Sequence, residues 1–73
     1  MQDLNYEMVC RDVSGKFWTS EEELIQELED LNYEVLDNFG EYIVIDEGNG
    51  TEWLLYLSRA GKTIWVAYVK EGN

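Results

Sequence analysis

LNYEMVCRD, residues 4–12, sets the order of elements along the chain. Leu4, Tyr6, Met8 and Cys10 alternate with Asn5, Glu7, Val9 and Arg11, the period of two that marks a half-buried strand. The chain is therefore expected to open with a β-strand, which Ser14-Gly15 turns. Trp18, Thr19 and Ser20 lead into SEEELIQELED, residues 20–30. There Ser20 and Glu23 read as a capping box, and Glu21, Glu22 and Glu23 sit at the positive end of the helix dipole. Leu24, Ile25, Leu28 and Leu31 form one apolar stripe at helical spacing, which predicts a helix running to about Asn32.

Four short strands are expected after it, over residues 33–37, 41–47, 51–58 and 63–70. Their joints, Phe39-Gly40, Gly48-Asn49-Gly50 and Arg59-Ala60-Gly61, carry residues that tolerate positive φ where hairpins are tight. No repeat, linker or low-complexity tail interrupts them. The expected fold is α+β in the order β-α-β-β-β-β, a single domain over 1–73 with one helix packed across an antiparallel sheet.

Both faces of the last hairpin are apolar or aromatic. Trp53, Leu55 and Leu57 alternate with Leu54 and Tyr56, and Ile64, Val66 and Tyr68 with Trp65, Ala67 and Val69. One short helix covers one face. The other is left to the N-terminal strand, to another copy of the chain or to a partner.

With 73 residues the chain is near the size at which one core supplies only ~3–5 kcal/mol of net stability. Its 45% hydrophobic and 14% aromatic content still separates it from a disordered acidic tail, despite a net charge of −11. Cys10 is the only cysteine and histidine is absent, which removes a disulfide framework, a thiolate metal site and the commonest general base. No cofactor or metal is expected. An N-terminus, MQDLNYEMVCRDV, that carries acids where a signal peptide would carry lysines and the lack of an apolar run near ~18 residues point to a soluble, cytoplasmic chain without membrane contact.

The distribution of charge is more informative than its sum. Arg11, Lys16, Arg59, Lys62 and Lys70 are the only bases, so nothing between Phe17 and Ser58 is cationic. That interval holds most of the carboxylates, a segment that repels nucleic acid and attracts basic surfaces. Direct nucleic-acid binding is not expected.

Motifs for chemistry are weak. AGKT, residues 60–63, ends like a phosphate-binding loop, but Tyr56 stands where the pattern needs glycine, and a strand follows instead of a helix. DEGNGTE, residues 46–52, lacks the oxygen ligands of a calcium loop at the positions of Gly48 and Leu57 and reads as a turn. Asn49-Gly50-Thr51 matches the glycosylation triplet without a secretory signal to give it meaning. Paired carboxylates can act as acid and base only in a cleft that perturbs them, which a domain of this size seldom encloses, so the chain is not expected to be an enzyme.

On the helix, Glu23, Glu27 and Asp30 form one ridge at i, i+4 and i+7, with neighbouring Cβ atoms ~5–6 Å apart, comparable with the interval between phosphates along a strand. A solvated outer face explains polarity but not uniform sign. Mixed Glu and Lys would gain ~0.2–0.5 kcal/mol per pair, whereas here Glu23 opposes Glu27, and Glu29 and Asp30 lie near the negative end of the dipole.

SEEELIQELED, followed by a meander ending LLYLSRAGKTIWVAYVKEGN, resembles a class of small acidic phage proteins, the DNA mimics. Among these are the uracil-DNA glycosylase inhibitors and some anti-restriction and anti-CRISPR proteins. The resemblance implies a non-enzymatic inhibitor that occupies the basic nucleic-acid site of a partner protein. Glu22, Glu23, Glu27, Asp30 and Glu34 would face that site, and Trp53, Tyr56 and Trp65 would supply desolvated anchors. The alternative from another class is a small structural or assembly protein that forms a homodimer through the aromatic face of its last hairpin, with acidity serving solubility.

Overall fold

The computed structural model describes residues 4–48 and 50–72 and gives the order α-α-β-β-β-β. Two helices, α1 (Leu4–Val13) and α2 (Glu21–Asp30), precede four strands, β1 (Glu34–Asn38), β2 (Tyr42–Asp46), β3 (Glu52–Ala60) and β4 (Thr63–Glu71). The strands form one antiparallel meander in the order β1-β2-β3-β4.

The first element is a correction to the sequence reading: residues 4–12 are helical, so the described residues hold two helices instead of one and no strand before α2. The physical reason lies in a second period within the same residues. Tyr6, Val9, Cys10 and Val13 recur at i, i+3, i+4 and i+7, and Val9 and Val13 are buried while Met8 is exposed. The expected alternation placed Met8 inside and Val9 outside. Gly15, at φ 72°, takes the left-handed conformation that ends α1.

Helix α2 follows its expected start. Ser20 Oγ accepts from the Glu23 N–H at 3.2 Å, and Glu23 reaches back to Thr19, whose N–H and hydroxyl both donate to Oε1, at 2.9 and 2.8 Å. Its end is a Schellman motif: the Asn32 N–H donates to the Glu29 carbonyl and the Tyr33 N–H to the Leu28 carbonyl. Asn32 sits there at φ 72°, and Leu28 and Tyr33 are both buried.

Both helices cover the same face of the sheet. Val9, Val13, Leu24, Leu28 and Tyr33 join Ile43, Ile45, Trp53, Leu55, Ile64 and Val69 in one core. The Tyr33 hydroxyl donates to Asp12 at 2.7 Å and so fastens the chain after α2 to α1. Trp18 forms an antiparallel bridge with Ile64 and extends the β4 edge by one residue. No helix among the described residues is long and apolar enough to cross a membrane.

Candidate partner-binding surfaces

The eight side chains singled out in the sequence fall on three levels of this two-layer fold. Glu22, Glu23, Glu27 and Asp30 lie on α2, Trp53 is in the core, and Glu34, Tyr56 and Trp65 occupy the face of the sheet opposite the helices.

On α2 the carboxylates divide by what they touch. Glu21 accepts from Asn38 Nδ2 and from Arg59, each at 2.7 Å. The same Arg59 donates to the Gly40 carbonyl at 2.8 Å, which fastens the helix start to two hairpins. Glu23 caps Thr19, and Glu27 pairs with Lys16 at 2.5 Å while accepting from the Trp18 indole at 3.1 Å. All three carboxyl groups titrate below the ordinary carboxylate range. The leading cause is a hydrogen bond to the charged form, from Asn38 for Glu21, Thr19 for Glu23 and Lys16 for Glu27. Lys16, Thr19 and Arg59 thus offset part of the repulsion that the helix sequence implies. Asp30 is exposed and accepts from Gln26 at 3.1 Å. Glu22 and Glu29 are exposed without a hydrogen-bond partner among the described residues.

Trp53 is fully buried, with its ring 5.8 Å from that of Tyr6, and presents no surface to a partner. Its indole N–H has no hydrogen-bond partner among the described residues, although the group is enclosed.

The opposite face of the sheet is organised in rows by the strand register. Tyr42 pairs with Tyr56 and Tyr56 with Tyr68, and the rings stack at 5.0 and 4.6 Å. Phe39, at 5.0 Å from Tyr42, extends the row to four rings across the sheet. Both end residues are open, Phe39 at 55% and Tyr68 at 56% exposure. Toward one end of the strands, Glu34 pairs with Asp46 and Asp46 with Glu52, a transverse row of three carboxylates. Between the two rows lie Asp37, Val44, Leu54 and Lys70, linked pairwise across the sheet. Beyond the aromatic row, Ser58 pairs with Trp65, whose ring meets Phe17 edge-on at 5.9 Å.

Neither helix reaches this face, so the apolar surplus noted in the last hairpin is left without a layer over it among the described residues. Tyr42, Glu52 and Phe39 were not singled out from sequence as contact residues. Only the register, through the 56–68 and 42–56 pairs, collects them into rows.

The loop motifs resolve as turns. Asp46 Oδ1 accepts from the Gly48 and Gly50 N–H groups at 2.6 and 3.4 Å, while Asn49, the middle of that run, lies outside the described residues. AGKT closes the β3–β4 hairpin, with Gly61 at φ 61°. No protein-family model, no curated protein and no solved structure matches the chain.

Proposed function

We propose that the protein is a non-enzymatic acidic binding protein that occupies the basic nucleic-acid site of a partner protein, in the manner of the phage DNA mimics. The observation that carries this reading is a group of exposed carboxylates that meet no cation among the described residues: Glu22, Glu29 and Asp30 on α2, with Glu34 at the start of β1. Structural use accounts for Glu21, Glu23 and Glu27, not for these. At a net charge of −11, they hold a one-signed field that steers a basic surface inward. The carboxylates with shifted titration are shifted downward, toward permanent charge, and not upward as a general acid requires.

The test is capture from bacterial lysate on the immobilised protein, with elution along a salt gradient in the presence and absence of duplex DNA. The reading expects a nucleic-acid-handling protein that salt releases and DNA displaces. Retention that neither salt nor DNA disturbs contradicts it.

A second reading rests on the open aromatic row: an assembly protein that dimerises through Tyr42, Tyr56 and Tyr68. Light scattering separates the two. A tight dimer insensitive to salt and broken by Tyr68→Ser supports assembly, and a monomer supports the first reading.

A further inference from the structure

The open face of the sheet combines two features that no single carboxylate cluster or apolar patch would. One is a stacked aromatic row, and the other is a parallel row of carboxylates on the same strands. Glu52 precedes Tyr56 by four residues on β3, which at ~3.3 Å per residue puts the rows about 13 Å apart. Within the aromatic row the inner rings spend their faces on each other, because the 4.6–5.0 Å ring separations match the distance between strands. The end ring Tyr68 remains free on its outer side.

We propose that this face docks an arginine-bearing segment of a basic partner protein. A guanidinium stacks on the exposed ring of Tyr68, and a second cation pairs with the Glu34–Asp46–Glu52 row. This deepens the function proposed above and rests on it.

Charge decides against a second copy as the occupant. The register places four carboxylates on this face, Glu34, Asp37, Asp46 and Glu52, against one base, Lys70, so two copies meeting face to face would oppose like charges. Arginine suits the aromatic row better than lysine, because its planar, weakly hydrated head stacks on a ring while an ammonium keeps its water. A row separation of about 13 Å equals four residues of extended chain, so an extended segment with bases at i and i+4 reaches both rows.

The experiment titrates the isotope-labelled full chain with an oligo-arginine peptide and, separately, with the oligo-lysine peptide of equal length. It reads dissociation constants and the backbone amides that shift. Docking on the open face predicts shifts on β2, β3 and β4, at least threefold tighter binding of the arginine peptide, and loss of that preference in Tyr68→Ser. The variant Glu7→Gln, on α1 and away from the open face, keeps the preference. Shifts confined to α2, or equal affinity for the two peptides, overturn the proposal while leaving an acidic binding protein in place. Failure of both peptides to bind at low salt sinks the functional reading itself. Self-association of the free chain that Tyr68→Ser abolishes assigns the face to a second copy and overturns the proposal. Circular dichroism of Tyr68→Ser, backed by the milder Tyr68→Leu, keeps loss of folding distinct from loss of the ring.

Discussion

The rings of Tyr56 and Tyr68 lie 4.6 Å apart and 8° from parallel, on the side of the sheet away from both helices. Their backbones are direct partners in the β3–β4 ladder, so one contact reports both register and surface. A double-mutant cycle of Tyr56→Ala and Tyr68→Ala, followed by urea unfolding, should give a coupling of about 0.5–1.5 kcal/mol. Additive effects would mean that the rings do not stack in solution.

Trp53 is the largest fully buried side chain of the core, and an N–H without a partner among the described residues makes it an imperfect one. Trp53→Ala should cost ~3–5 kcal/mol, enough to unfold a domain of this size. Trp53→Phe removes the unpaired donor along with some volume, so it should cost much less and leave a cooperative transition. Thermal melts of the two variants check this, and equal damage would show that the indole nitrogen has a partner.

At the end of α2, Asn32 holds a left-handed conformation that glycine adopts without strain. Asn32→Gly should therefore hold or raise stability, and Asn32→Ala should lower it by about 1 kcal/mol. Urea midpoints rank the three chains. Alanine at or above asparagine would contradict the Schellman geometry.

Acid titration tests the structural half of the helix charge. Glu27 is held below its ordinary range, first by the Lys16 hydrogen bond and then by that of the Trp18 indole. A folded value below the unfolded one contributes stability that is complete above the unfolded pKa and is lost as pH falls through the folded pKa. The stability gap between the native chain and Glu27→Gln should thus be widest near neutrality and close as the pH drops below about 4, within the acid limb of carboxylate titration. A gap that persists in acid would place the effect in packing instead.

Ionic strength tests the other half. Uncompensated like charge opposes compaction, and salt screens it over about 10 Å at 0.1 M. Melting temperature should rise as sodium chloride is added, and less so for E22Q/E29Q/D30N. A fall would mean that ion pairs such as Lys16–Glu27 and Arg59–Glu21 outweigh the repulsion.

Much of this fold was legible because its joints are. Gly40 and Gly61 mark hairpins that the strands then obey, and Ser20 with Glu23 starts a helix where the chain says it should. The N-terminal helix was not, because Tyr6, Met8 and Cys10 alternate while Tyr6, Val9, Cys10 and Val13 also satisfy a helical stripe. Ten residues hold both periods, and burial of Val9 and Val13 against the sheet selects the second. Alternation signalled a surplus apolar face on the last hairpin but grouped Tyr68 with Ile64 and Val66. The register shift after Tyr56 turns Tyr68 to the open face and Val69 into the core, and alternation did not show that both helices would leave that face open. Which carboxylates are occupied was hidden for another reason. Glu21 meets Arg59 across 38 positions and Glu27 meets Lys16 across 11, pairings that only the tertiary fold brings about.

The most direct measurement takes the nucleic-acid-handling protein captured on the column and follows its Kd for this chain as sodium chloride rises, with and without duplex DNA. Occupation of a basic nucleic-acid site predicts that affinity falls steeply with salt and that DNA and this chain exclude each other. A Kd indifferent to salt, or a ternary complex in which the partner holds both at once, would contradict it.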